Sequence, residues 1–210
     1  MKSLHLIQWI HIWNTMIGVV VFGTLIGVSK NIKVFIDSGS KIAGFGMKVK
    51  IRAPTFIDLL TPSHVGSFTT FAYPATYVFM LIPTICSMIY SAILAFDSSP
   101  NYKAWSPSKT LRSTIIFFTA ALWFAALLPA VPGADVMTDG SAMSCNWTNY
   151  MQWKIQFNDP ITYPWVTGMD NACSILKASD GMCWVLFLGW LLQSYLYMRA
   201  AHRARSVLNK

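Results

Sequence analysis

Residues 181–198, with the sequence GMCWVLFLGWLLQSYLYM, contain no Asp, Glu, Lys or Arg and are dominated by large apolar side chains. Three further charge-free segments share this character, at residues 3–29, 59–96 and 113–134. A helix needs roughly 20 mostly apolar residues to cross about 30 Å of hydrocarbon at ~1.5 Å per residue. The sequence therefore predicts four membrane-spanning helices.

The composition of the 210-residue chain agrees with this prediction. Hydrophobic residues make up 54% of it and charged residues 11%, whereas a soluble domain carries about 25% charged residues. We place the spans at residues 6–28, 68–95, 112–131 and 172–198, which leaves no room for a separate soluble domain. The predicted fold class is an all-α membrane protein, a single four-helix transmembrane bundle over residues 1–210.

The predicted first loop, residues 29–67, is basic and contains a strand-like pattern. The stretch Lys48-Val-Lys-Ile-Arg52 alternates polar and apolar residues, as a half-buried strand does. Residues 33–36 are its candidate partner across the Ser38-Gly-Ser40 turn. We predict a small β-hairpin here, with an irregular basic loop as the alternative.

Glycines in the first span and prolines in the second predict local packing features. Gly23 and Gly27 form a GxxxG spacing, and Gly18 lies about one turn earlier. Such glycines let another helix approach closely, either inside the bundle or in a second molecule. In the second span Pro74 and Pro83 each remove a backbone donor, which predicts a kinked helix.

The orientation depends on the second large loop, residues 133–171. The positive-inside rule gives no preference, because eight Lys and Arg residues fall on each side. Asn146 begins an Asn-Trp-Thr glycosylation acceptor. Cys145 and Cys173 flank the loop, and a disulfide between them would close it in an oxidising compartment. We therefore expect both large loops outside and both termini in the cytosol, at the plasma membrane or endomembranes of a eukaryote.

Few residues are candidates for chemistry. The chain has no Glu, no CxxC, no HExxH and no phosphate loop, so we expect no enzyme and no cofactor. Lys177 and Asp180 share one face near the outer end of the fourth span, which predicts a membrane ion pair, with a transport role as the alternative. The four dispersed histidines are interpreted as interfacial polar residues rather than metal or haem ligands: His5, His11, His64 and His202.

The net charge of +8 bears on partners. In a membrane protein it indicates loops and tails that meet anionic lipid headgroups, and we expect no nucleic-acid binding. The expected partners are the lipid bilayer and either further copies of this chain or other membrane proteins.

Two segments resemble the MARVEL-domain family of four-span membrane proteins, and its fungal members in particular. In the last span Ala172-Cys-Ser-Ile-Leu-Lys-Ala178 precedes Cys183-Trp-Val-Leu-Phe187, and the third span contains Ala120-Ala-Leu-Trp-Phe-Ala-Ala126. The order of four spans, a short middle turn and a cysteine-flanked loop before the last span is also similar. The resemblance implies roles in membrane organisation, vesicle traffic or membrane apposition, with no catalytic residues.

Three functions remain open at this point. The first is a non-enzymatic membrane protein that self-associates or scaffolds a membrane domain. The second is an accessory subunit of a larger channel, transporter or synthase complex. The third, least supported by the residues, is a pore or transporter in its own right.

Overall fold

A computed structural model describes residues 2–42, 48–50, 70–72, 75–96, 107–127, 159, 161–163 and 167–208. Within these residues the chain forms four helices, α1 Lys2–Ile42, α2 Ala75–Phe96, α3 Lys109–Leu127 and α4 Thr167–Leu208. Each is long and apolar enough, by length and composition, to cross a membrane. The prediction of an integral membrane protein with four spans is confirmed at this level.

Helix α1 continues well past the predicted end of the first span. Leu25, Val28 and Ile32 are all completely buried, and their spacing keeps them on one helix face. Lys30 and Lys33 are exposed on the other side of the same turns. The lysines therefore end the charge-free stretch without ending the helix.

The predicted β-hairpin does not form within the described residues. Residues 33–36 lie inside α1 rather than in a strand. A short strand, β1 Lys48–Lys50, is present, but it pairs in parallel with β2 Thr70–Ala72. A parallel pair needs a long connection, so it is not the tight hairpin that the alternating pattern predicted.

The remaining spans differ from prediction mainly at their ends. Helix α2 begins at Ala75, so Pro74 precedes it and lies outside the described residues. Pro83 is buried inside α2, and the kink expected there stays a prediction. Helix α4 extends beyond both predicted ends of the fourth span.

The four helices pack as a ring, and neighbouring helices in the ring run antiparallel to each other. Helix α1 packs against α2 and α4, and α3 packs against α4 and less extensively against α2. The amide of Gln8, near the start of α1, donates to the carbonyl of Ala95, near the end of α2. Across the other interface, Gly27 approaches Ile175 near the start of α4. The start of α1 therefore lies beside the ends of α2 and α4.

Apolar side chains fill the interior and also cover the outside. Inside, the Phe118 ring lies 5.4 Å from the Tyr90 ring and 5.3 Å from the Trp190 ring, centroid to centroid. Outside, large residues such as Ile93, Phe117 and Leu188 are more than half exposed. An apolar exterior on all sides is what a helix bundle in lipid requires.

Candidate functional site

Five polar side chains are buried between α1, α2 and α4, and together we call them the polar cluster. They are His11, Asn14, Ser91, Gln193 and Tyr197, none more than 3% exposed. Water is absent from the hydrocarbon core, so buried polar groups there must find partners in the protein. The cluster is the densest group of such partners that the described residues form, and it is the candidate functional site.

His11 lies at the centre of the polar cluster. The Ser91 hydroxyl donates to the His11 backbone carbonyl at 3.0 Å, and its oxygen lies 3.1 Å from His11 Nδ1. The Tyr197 hydroxyl lies 3.0 Å from Nε2. The His11 ring is therefore held between α2 and α4.

Gln193 connects His11 to Asn14. Asn14 Nδ2 donates to Gln193 Oε1 at 2.7 Å, which turns the Gln193 amide nitrogen towards the His11 ring and its Nε2 atom. The other amide oxygen, Asn14 Oδ1, is buried against Gly189 and has no hydrogen-bond partner among the described residues. A Cβ atom at position 189 would collide with this oxygen, so glycine there permits the close approach of α1 to α4.

The hydrogen bonds of the polar cluster join three helices at the end of the bundle that holds both termini. A further bond ties in α3, because the hydroxyls of Thr119 and Ser194 lie 2.8 Å apart. Interhelical bonds of this kind contribute about 0.6 kcal/mol on average and up to about 1.7 kcal/mol. The arrangement fixes which helix faces meet.

His11 is buried between helices, a position that its interpretation as an interfacial polar residue did not specify. The signal was present in the spacing of polar residues inside apolar spans. Gln8, His11 and Thr15 recur at helical intervals in α1, and Gln193 and Tyr197 lie one turn apart in α4.

The three glycines of the predicted packing face have different surroundings. Gly18 is buried, and a Cβ there would lie 2.9 Å from Met88 Cβ in α2. Gly27 is half-buried, and its Cβ would make an ordinary 3.8 Å contact with Ile175. Gly23 is exposed, with no atom within 4 Å of the Cβ position. Of these three glycines of α1, only Gly18 therefore lies at a close helix contact inside the bundle.

The two residues of the predicted ion pair in α4 differ in solvent exposure. Lys177 is exposed, whereas Asp180 is half-buried. The Oδ1 atom of Asp180 is buried and has no hydrogen-bond partner in the described part of the chain. An ionisable side chain inside a span with an unsatisfied oxygen is a candidate contact for another molecule, and the ion pair itself stays a prediction.

Two of the described cysteines are free and a third is bonded. Cys86 and Cys183 are free. Cys173 is buried at the start of α4 and is disulfide-bonded. Cys145 and the glycosylation acceptor Asn146 lie outside the described residues, so the predicted Cys145–Cys173 pairing and the glycan remain predictions.

A short turn precedes α4 outside the spans. Asp159 Oδ1 accepts from the Ile161 backbone N–H at 3.0 Å, and the Thr162 hydroxyl donates to Oδ2. The Thr162 and Ile161 hydrogen bonds, which favour the charged form, lower the pKa of the Asp159 carboxyl from its usual 3.8.

Metal ligation is not supported by the described residues. They contain no group of three or more His, Cys, Asp or Glu side chains that could hold an ion. Comparison with known protein families, with curated proteins and with solved structures found no match for this chain.

Proposed function

We propose that this chain is a non-enzymatic four-span membrane protein that associates laterally with copies of itself and so organises its membrane. The proposal rests on Gly23, an exposed glycine on the outer face of α1 that leaves a shallow gap between the neighbouring side chains. We call this gap the notch. Such an organising role, in a membrane domain or in vesicle traffic, is also what the MARVEL-like segments of the third and fourth spans imply.

The notch has the shape that a second helix fits. Gly23 presents bare backbone, and the exposed side chains of Val19, Val20 and Ile26 flank it at helical spacing. Close backbone approach at small residues, with van der Waals packing of the flanking side chains, drives helix association in lipid. The bundle uses Gly18 and Gly189 for its own interfaces and leaves Gly23 uncovered.

The disposition of polar groups also supports an organising role over a catalytic one. The hydroxyls and amides within the polar cluster bond mainly to each other or to backbone carbonyls across helix interfaces. They stabilise the bundle and are closed to the lipid-facing surface.

The test is the oligomeric state of Gly23→Leu, reconstituted in nanodiscs or released in a mild detergent. A leucine side chain at this position has open space on its own molecule, so it should leave the bundle intact while blocking a second helix. We expect a shift from oligomer to monomer. Gly181→Leu on α4 is the matched control, because Gly181 is equally exposed and also has no atom within 4 Å of its Cβ position.

The two variants separate specific association from a general effect of added bulk. An oligomer that persists in Gly23→Leu, or one lost equally in Gly181→Leu, contradicts association through this face. Thermal melts of both variants must stay close to that of the native chain.

A second candidate is an accessory subunit of a larger membrane complex, and Asp180 is the observation that favours it. Its unsatisfied Oδ1 would gain a donor from a partner helix, a stronger interaction in lipid than in water. Asp180→Asn should then reduce stoichiometric co-purification of a different large membrane protein. Unchanged recovery of only this chain would rule out the candidate.

A further inference from the structure

We infer that the start of α3 and the end of α4 together form a binding site for the phosphorylated headgroup of an anionic phospholipid. A cavity of about 530 Å³ lies between these helices at the end of the bundle that holds both termini. Its lining includes three arginines and one histidine, Arg112, Arg199, Arg203 and His202. We call it the basic pocket. The inference does not depend on self-association.

The depth of the basic pocket fits the phosphate level of a bilayer. Arg112 immediately precedes the charge-free segment 113–134, and Arg199 immediately follows the charge-free segment 181–198. The two arginines therefore stand at the same boundary of the hydrocarbon, on adjacent antiparallel helices. Basic pockets between transmembrane helices at this level bind anionic headgroups.

The charge of the basic pocket is not neutralised by the protein's own described residues. None of the described residues that line it is acidic. The nearest aspartate along α4 is Asp180, nineteen residues before Arg199, or roughly 28 Å away at 1.5 Å per residue. Arg112 Nε has no hydrogen-bond partner among the described residues, so no described acceptor offsets this cation.

Interaction with the carboxyl end of α4 does not explain these cations. A helix dipole favours positive charge within the last turn only, whereas α4 ends at Leu208, nine residues beyond Arg199. The exposed side chains of Tyr195 and Met198 also line the basic pocket on its membrane side. They would contact the glycerol and upper acyl chain of a lipid, which a free phosphate ester lacks.

Guanidinium groups bind phosphate oxygens through two parallel N–H···O bonds, and three arginines match a headgroup with more than one phosphate. The probe is therefore phosphatidylinositol bisphosphate, mixed into phosphatidylcholine nanodiscs that hold the full chain. Native mass spectrometry then counts the lipid retained. We expect clear retention over phosphatidylcholine.

The variant Arg199→Gln/Arg203→Gln removes two cations whose side chains are exposed, so the bundle should fold normally. Each cation near an anionic surface contributes about 1 kcal/mol, which corresponds to about fivefold in affinity. The double variant should bind the probe about thirtyfold more weakly. Arg199→Lys/Arg203→Lys keeps the charge but loses the paired N–H donors, so its affinity should lie between those of the native chain and the double glutamine variant.

Lys30→Gln/Lys33→Gln is the matched control, because it removes two exposed cations from α1 towards the opposite end of the bundle. Its binding should equal that of the native chain. An equal loss in this control, or no preference of the native chain for the probe, overturns the proposal. Soluble inositol trisphosphate, added to the full chain in phosphatidylcholine nanodiscs, tests whether the bound phosphate belongs to a lipid or to a free phosphate ester. Binding as tight as that of the lipid would overturn the assignment to a lipid.

Discussion

Replacing Gly18 by alanine tests the close approach of α1 to α2. The added Cβ would lie 2.9 Å from Met88 Cβ and 3.1 Å from Met88 Cγ. The first of these atoms is attached directly to the α2 backbone, so rotation of the Met88 side chain cannot move it away. The two helices must separate instead, and overpacking of this kind costs about 1–3 kcal/mol.

Gly23→Ala on the same helix is the reference for this experiment. Both substitutions gain the same helix propensity of about 1 kcal/mol, but alanine at position 23 meets no atom within 4 Å. The difference between the two variants therefore isolates the contact with Met88. For a chain of this size, about 2–4 °C per kcal/mol predicts that Gly18→Ala melts about 2–12 °C below Gly23→Ala.

The assay is thermal unfolding in one mild detergent, followed by circular dichroism and by labelling of the buried Cys183 thiol. Melting temperatures that coincide, or a Gly18→Ala variant that melts higher, would refute the close packing of α1 on α2. They would also remove the reason for assigning different roles to the two glycines.

Three further predictions concern the polar cluster, the turn before α4 and the disulfide. Gln193→Leu leaves the amide nitrogen of Asn14 without its acceptor and should lower stability by about 1–3 kcal/mol in detergent unfolding; an unchanged midpoint would show that the cluster contributes nothing. Thr162→Val removes the largest cause of the lowered pKa of Asp159, so an NMR titration should find that pKa nearer to 3.8. Because the folded pKa is depressed, the stabilisation of the turn is present above about pH 3.8 and is lost as the pH falls through the folded value; identical titration curves would contradict the Thr162 contact. Reduction of the Cys173 disulfide should lower stability by about 2–4 kcal/mol, and a melt unchanged by reductant would contradict a stabilising role.

The number of spans could be read from the sequence because it depends on a single property, the absence of charge over a length that crosses hydrocarbon. The ends of the helices could not be read in the same way. Lys30 and Lys33 end the charge-free stretch, but α1 continues to Ile42, and Val28 and Ile32 remain on its buried face. The position of the first charge therefore did not predict where the helix ends.

The polar cluster was not predicted because it depends on contacts between residues far apart in the chain. His11 and Gln193 come together only when α1 and α4 pack antiparallel in one register. The same holds for the glycines, since a GxxxG spacing does not tell which glycine faces the bundle. Geometry assigned Gly18 to the interior and Gly23 to the outer surface.

The most direct test of the proposed organising role is the mass of the native particle released from its own membrane by a mild detergent. Native mass spectrometry should give a multiple of the 23.5 kDa chain, apart from bound lipid and any glycan. A particle containing one copy of this chain, alone or in fixed ratio with a different membrane protein, would contradict lateral self-association.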